Sequence, residues 1–178
     1  MSDLDWAAEI VPGQSMLGLN LGIPQTEVMS LLESSRVTGG AHGEFLIQFK
    51  NSPLLSMQPM NRGIALFDKR MLQSEKPPHF EAFSIGFSVD GVLVHLAARW
   101  LHGDPPNYYK GLLWGEVGIG SRVVMVTKHC ELEFDPGDEV FYPTEQRFAG
   151  LSIGGGERSL EKEPDQRIGY IRVYTPKK

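Results

Sequence analysis

The segment 131–139 holds the densest group of acidic side chains in the sequence. It contains Glu131, Glu133, Asp135, Asp138 and Glu139. In a β-strand the side chains at 131, 133 and 135 point to one side, opposite Leu132 and Phe134. The pattern therefore predicts an anionic stripe on one strand, continued by a turn at Pro136-Gly137 that carries the last two acids.

Such a stripe suits the docking of a basic protein, because complementary charge speeds the encounter of two proteins. Aromatic side chains supply affinity at interfaces, and the sequence offers Trp114, Phe141 and Tyr142 for this role. The alternative is an ordinary solvated face of a sheet. Paired carboxylates also serve in calcium sites and glycosidases, but the spacing does not match an EF-hand loop, and no metal ligand is predicted.

The histidines and the single cysteine do not form a recognisable catalytic motif. The histidines are His42, His79, His95, His102 and His129, and no two have the i, i+4 spacing of a helical zinc motif. His129 and Cys130 are adjacent, so on a strand they point to opposite faces and make a poor nucleophile and base pair. Since no nucleophile, base and oxyanion donors can be assembled, the sequence predicts a protein that is not an enzyme and binds no cofactor.

A second group of candidate residues is aromatic. Trp100, Tyr108, Tyr109 and Trp114 flank Pro105-Pro106. Such a cluster predicts either a binding patch for a small ligand or carbohydrate, or a small core that covers the edge of a sheet. Shape separates the two classes of function, since a deep aromatic pocket favours a ligand and a flat acidic face favours a protein partner.

The composition bounds these interpretations. The chain has 178 residues, which is the size of a single domain spanning 1–178, and a net charge of −5. That charge argues against nucleic acid or an anionic membrane as the partner and favours a basic one. One cysteine excludes an intrachain disulfide. The segment 1–12 has three acids and no Lys or Arg, unlike a secretory signal, and no apolar stretch reaches the roughly 20 residues of a membrane helix. These features predict a cytoplasmic location.

The elements that position the candidate residues follow an internal repeat. Residues 21–32 align with residues 117–128 at an offset of 96, and each segment predicts a short helix. Two strands follow each helix, at 44–49 and 63–67 in the first copy and at 131–134 and 150–153 in the second. The repeat units are 11–70 and 108–156, and a hairpin at 80–101 with its turn at Asp90-Gly91 lies between them. A further strand is predicted at 167–174, where apolar and polar residues alternate. The prediction is an α+β fold with a largely antiparallel sheet.

The phrase that precedes each helix is apolar-Gly-Ile-x-x-x-x-Val, and it begins at Leu21 and at Val117. It resembles the strand-turn-helix signature of the small repeated α/β modules of the β-lactamase inhibitor protein and of outer-membrane assembly lipoproteins. The chain is small and acidic, is predicted to be α+β and has no catalytic motif. In these general properties it is similar to the immunity proteins that bacteria pair with polymorphic toxins.

The leading functional hypothesis is a non-catalytic binding protein. The likeness to immunity proteins implies a cytosolic inhibitor that occludes the active site of a cognate basic toxin. The acidic stripe would provide charge, and Trp114, Phe141 or Tyr142 would provide apolar anchors. The alternative is a domain that binds a small ligand or carbohydrate through the Trp100 to Trp114 aromatics. The sequence carries no signal for the oligomeric state.

Overall fold

The computed structural model describes residues 4–37, 44–72, 81–100 and 108–176. Within these ranges the helical elements are α1 (Gln25–Ser34), α2 (Lys69–Leu72) and two 3-10 helices, η1 (Val123–Lys128) and η2 (Gln146–Phe148). The strands are β1 (Ser15–Met16), β2 (Leu19–Asn20), β3 (Leu46–Ile47), β4 (Leu55–Met60), β5 (Gly63–Asp68), β6 (Phe83–Phe87), β7 (Leu93–Arg99), β8 (Leu132–Asp135), β9 (Val140–Pro143), β10 (Leu151–Gly154) and β11 (Tyr170–Tyr174).

These strands form one large antiparallel sheet and one small one. The order in the large sheet is β3-β4-β5-β6-β7-β11-β10-β9-β8, while β1 and β2 pair with each other. Within the series β3 to β7, and within the series β8 to β11, consecutive strands pair with each other. The two series meet where β7 pairs with β11. The predicted α+β class with a largely antiparallel sheet is therefore confirmed.

The predicted hairpin forms between β6 and β7, but its turn differs from the expected type. A type I′ turn needs positive φ at two central residues, and here only Gly91 has one, at 70°. The N–H of Ser88 donates to the carbonyl of Val92, which leaves Val89, Asp90 and Gly91 as a three-residue loop. Gly91 supplies the left-handed position that closes such a loop.

Two strands of the sheet were not predicted from the sequence. The first is β4, which contains Pro59, and the second is β9, which ends at Pro143. Proline has no N–H to donate to a ladder hydrogen bond, so a proline in the sequence argues against a strand. Among the described residues, β3 pairs with Leu55 and Ser56 of β4, while Pro59 pairs with Ile64 of β5 and has no ladder partner on its other side.

The helix after the second copy of the repeated phrase forms as a 3-10 helix. η1 contains Val123, Val124 and Val126. β-branched side chains lose χ1 freedom in an α-helix, and the tighter 3-10 geometry is common in short pieces. Val126 in η1 and Val28 in α1 are nevertheless both fully buried.

The two copies of the repeated phrase make matching backbone hydrogen bonds, in a register that differs slightly from the predicted one. Gly22 and Gly120 both have positive φ. The N–H of Gly22 donates to the carbonyl of Leu93, the first residue of β7, and the N–H of Gly120 donates to the carbonyl of Ile168, two residues before β11. The counterpart of Gly22 is thus Gly120 and not Gly118, an offset of 98 in place of the predicted 96. The hairpin was predicted to lie between the two copies. In the structure its strands, β6 and β7, are the last two strands of the series β3 to β7.

A local twofold axis relates β7 to β11. His95 pairs with Tyr174, Arg99 pairs with Tyr170, and Ala97 pairs with Arg172 at the centre. Adding 75 to a residue number in β7 gives the equivalent residue of β11, so His95 corresponds to Tyr170 and Arg99 to Tyr174. Replacing each residue by its equivalent gives the same pairs again. The middle of the sheet is therefore the ladder at which the two series of strands meet.

The core lies on one face of the sheet. Trp6 packs against Phe49, Phe83 and Tyr109, with ring centroids 5.5–6.5 Å apart. Val28 of α1 and Val126 of η1 belong to the same buried cluster. The strand residues that join it include Phe83, Ile85, Leu96, Ala98, Leu151, Ile153, Ile171 and Val173. Because side chains alternate along a strand, their neighbours lie on the opposite face, which we call the open face.

Candidate protein-binding face

The predicted acidic segment is a strand with the expected alternation. Glu131 and Glu133 are exposed, whereas Leu132 and Phe134 pack against the core. Glu133 pairs with Tyr142 across the ladder between β8 and β9, so both side chains lie on the open face at its last strand. We call the acidic group at this strand and its turn the acidic edge; its members are Glu131, Glu133, Asp135, Asp138 and Glu139.

Hydrogen bonds fix the turn of the acidic edge. The carboxylate of Asp135 accepts hydrogen bonds from the N–H groups of Gly137 (2.7 Å) and Asp138 (3.3 Å). The hydroxyl of Tyr142 donates to Asp138 at 2.8 Å. Burial, together with the bond to Asp138, raises the pKa of Tyr142 to about 12, so its hydroxyl stays a donor. The turn therefore presents fixed carboxylates beside an aromatic ring.

The two other predicted anchors lie elsewhere. Phe141 is only 2 % exposed and packs against Phe134 in the core, so the anchor role predicted for it does not fit the structure. Trp114 is partly exposed but stacks on His129 at 4.4 Å and meets the ring of Phe148 edge-on at 5.3 Å. Of the three aromatics, only Tyr142 joins the acidic edge on the open face.

The aromatic cluster proposed for ligand binding is divided in the structure. Tyr109 is fully buried. Its hydroxyl donates to the carbonyl of Ala8 at 2.6 Å and accepts from the N–H of Leu17 at 2.8 Å, so it ties two chain segments together in the core. Trp114 belongs to the contact with His129, while Trp100 and Tyr108 are partly buried against the core. Pro105-Pro106 lies outside the described residues, as do His42, His79 and His102.

The centre of the open face carries His95 and four residues that were not proposed as site residues from the sequence: Arg99, Tyr170, Arg172 and Tyr174. The guanidinium of Arg99 lies 4.5 Å from the ring centre of Tyr170, and that of Arg172 lies 4.6 Å from the ring centre of Tyr174. Tyrosine and arginine are enriched in protein interfaces. Tyr170, Arg172 and Tyr174 could have been found from the sequence, because residues 170–174 alternate as Tyr-Ile-Arg-Val-Tyr. Every second side chain in this segment is of a type that is enriched in interfaces.

Glycines make room for two rings on this face. Gly86 pairs with His95 and Gly154 pairs with Tyr170, at positions related by the local twofold axis. A methyl group at Gly86 would overlap the imidazole, and at Gly154 it would come within 3.0 Å of the Cβ of Tyr170. The absence of these side chains lets both rings lie flat over the neighbouring strand.

A groove of about 490 Å³ opens at one end of this central group. Its polar lining comes from His95, Tyr142, Arg172 and Tyr174, and its apolar walls include Pro143, Phe148 and Pro176. Trp114 contacts Phe148, one of these apolar walls. Tyr142 lines the groove and its hydroxyl bonds to Asp138 of the acidic edge, so the two features form one continuous surface.

His95 gives this surface a pH-dependent contribution to stability. Burial, followed by the charge of Arg172, lowers the pKa of His95 below its usual 6.5, and Glu81 partly opposes them. Tyr174 lies opposite His95 across the ladder. As the pH falls through 6.5 the unfolded chain therefore takes up this proton first, and the folded state loses stability.

We expect the His95→Gln variant to lose less stability than the wild type when the pH is lowered from about 7.5 to about 5.5. Urea unfolding followed by circular dichroism at both pH values measures the difference. Equal losses in the two proteins would contradict a lowered pKa at His95. Since all other titrating groups are shared, the comparison isolates this residue.

Cys130 and His129 do not form a catalytic pair. The thiol of Cys130 points back to the carbonyl of Val126 at 3.9 Å, while the imidazole of His129 lies 2.7 Å from Glu116. Burial raises the pKa of the Cys130 thiol to about 11, and the charge of Glu145 adds to the effect. At neutral pH the side chain is therefore a protonated thiol in the core.

Iodoacetamide reacts with the thiolate, so we expect no alkylation of Cys130 in the folded protein at neutral pH over hours. In urea the same reagent should modify it completely within minutes. Intact-mass spectrometry after each incubation measures the result. Equal rates in the two conditions would show that Cys130 is accessible in the native state.

Among residues 4–37, 44–72, 81–100 and 108–176, no group of three or more His, Cys, Asp or Glu side chains is arranged to hold a metal ion. In the same part of the chain, no helix has the length and apolar character needed to cross a membrane. Comparison of the sequence and the fold with protein-family models, curated proteins and solved structures finds no match.

Proposed function

We propose that this protein is a non-catalytic binding protein that docks a protein partner on its open face and acidic edge. The observation that carries the proposal is the continuity of the two features at Tyr142, which pairs with Glu133 and bonds to Asp138. In its most specific form, the proposal is a cytosolic immunity protein that neutralises a basic toxin by covering its active site.

Charge supports a basic partner. Glu131, Glu133, Asp138 and Glu139 are all exposed, and the chain as a whole has a net charge of −5. Exposed charges at the rim of an interface mainly raise the association rate, and their effect falls with salt. The complex should therefore form faster and bind more tightly at low ionic strength.

Side-chain chemistry supports a protein partner in preference to a sugar. The aromatics proposed for carbohydrate binding do not converge, because Tyr109 is buried in the core and Trp114 stacks on His129. The open face instead presents tyrosine and arginine side chains held by neighbouring rings and strands. Side chains ordered before binding lose less entropy on association.

The test begins with affinity capture from a lysate of the source organism at about 50 mM and about 300 mM salt. We expect one basic protein to be retained at low salt, to form a stoichiometric complex, and to lose its own activity in that complex. Retention of nothing at either salt, or of a protein whose activity is unchanged, would contradict the proposal.

Charge reversal then locates the face. The Glu131→Lys/Glu133→Lys variant should weaken binding about 10- to 100-fold, mostly through slower association. The matched control is Glu157→Lys/Glu161→Lys, which makes the same change in net charge at two exposed acids outside the acidic edge. If both pairs weaken binding equally, the attraction depends on net charge and the acidic edge has no special role.

A further inference from the structure

Arg172 is a cation without a carboxylate partner in the described part of the chain. Of the other described basic side chains, seven pair with Asp or Glu and the rest are exposed to solvent. The paired ones are Arg36, Lys50, Lys69, Arg70, Arg99, Arg122 and Arg147. Arg172 hydrogen-bonds to the hydroxyl of Tyr170 and lies over the ring of Tyr174, and its Nε is buried with no hydrogen-bond partner. This half-buried arginine thus has tyrosine neighbours but no carboxylate, so the charge-assisted hydrogen bonds that a guanidinium makes best are not used within the described residues.

The position of Arg172 gives this missing partner a place to bind. The side chain lines the groove beside His95, Tyr142 and Tyr174. The apolar walls at Pro143, Phe148 and Pro176 bound the same space. A ligand in this groove therefore meets a guanidinium and apolar surface together.

The charges of the groove select the sign of the occupant. Arg172 stacks on Tyr174, so that ring face is already taken by a cation and a second cation would be repelled. Among the residues that line the groove, Arg172 is the one with a permanent charge. A carboxylate satisfies an arginine with short, charge-assisted hydrogen bonds.

We propose that the groove binds a carboxylate carried on an apolar group of the docked protein partner, with Arg172 as its counter-charge. This inference rests on the proposed function and refines it. The acidic edge attracts basic residues of the partner, and the groove at the centre accepts one acid. Charges of both signs at fixed places on one face define the orientation of the partner.

The probe for this site is N-acetyl-L-phenylalanine, which joins a carboxylate to an aromatic ring. Its matched control is N-acetyl-L-phenylalanine amide, which has the same ring and no charge. We expect the acid to bind about 10-fold more tightly than the amide, as an arginine–carboxylate hydrogen bond predicts. Amide signals of residues lining the groove, such as Gly150 and Leu151, should shift in ¹⁵N NMR titrations.

Variants assign the effect to Arg172. Arg172→Gln should remove the preference for the acid, and Arg172→Lys should keep the charge and retain part of it. Arg158→Gln removes an exposed arginine outside the groove and should leave the preference unchanged. Circular dichroism confirms that each variant is folded. If Arg172→Gln does not fold, the comparison of acid with amide on the wild type still decides the matter.

Equal affinities for the acid and the amide, or no shifts at the groove, would overturn the inference. These outcomes are distinct from failure of the proposed function. If the probe fails but a basic partner is captured and inhibited, only the carboxylate site is wrong. If the probe binds through Arg172 and no partner is captured, the groove is a small-molecule site and the docking proposal fails.

Discussion

Replacement of Trp6 by alanine is expected to lower the free energy of unfolding by about 3–5 kcal/mol, the range for large aromatic-to-alanine changes in cores. Trp6 is fully buried and contacts the rings of Phe49, Phe83 and Tyr109, so its removal leaves a cavity bounded by rigid groups. The indole N–H has no hydrogen-bond partner in the structure, and losing it offsets part of the cost. We therefore expect a value in the lower half of the range.

Trp114→Ala is the matched control for this prediction. Trp114 is only partly buried and contacts His129 and Phe148 at the surface. The expected loss is about 1 kcal/mol, the scale of such aromatic pairs. Urea unfolding followed by circular dichroism measures both variants without depending on tryptophan fluorescence. Similar losses in the two would show that Trp6 does not hold the core together as described.

The second large effect is expected at Gly150, where alanine should cost more than about 3 kcal/mol. Gly150 has a φ of +86°, and an added Cβ would overlap the carbonyl oxygen of Tyr174 and lie 2.7 Å from the Cα of Gly13. Both contacts are with backbone, which cannot rotate away as a side chain can. The carbonyl of Gly150 also accepts a hydrogen bond from the N–H of Tyr174. A shift of the backbone at Gly150 would therefore disturb the pairing of β11 at this end.

Gly115→Ala separates backbone strain from crowding. Gly115 has a similar φ of +75° but no atom within 4 Å of an added Cβ. It should cost about 1–2 kcal/mol, the penalty for an L-residue in the left-handed region. Chemical denaturation of the two variants gives the comparison. If Gly150→Ala were no worse than Gly115→Ala, the close packing of Gly150 against Gly13 and Tyr174 would be unimportant.

Local sequence patterns predicted the parts of the fold that depend on neighbouring residues. The apolar spacing in 25–34 predicted α1, and the Asp90-Gly91 pair predicted the hairpin. The alternation in 131–135 predicted that Glu131 and Glu133 are exposed. Each of these features is decided within about ten residues, where side-chain periodicity and turn chemistry dominate.

The features that escaped prediction depend on contacts between distant segments. Phe141 faces the core because β9 pairs with both β8 and β10, and β9 itself was not expected. Tyr109 is buried because its hydroxyl bonds to Ala8 and Leu17, about a hundred residues earlier in the chain. The central group of the open face exists only because β7 pairs with β11, whose register no local pattern contains.

The local twofold axis has a consequence for stoichiometry. Arg172 occupies the position on the axis that Ala97 occupies in the other half of the sheet. Directly opposed residues in a ladder are about 5 Å apart, so two arginines there would repel each other and crowd the same space. The ladder between β7 and β11 thus carries one arginine at its centre, on the side of the groove described above. We therefore expect a titration with the carboxylate probe to saturate at one molecule per chain.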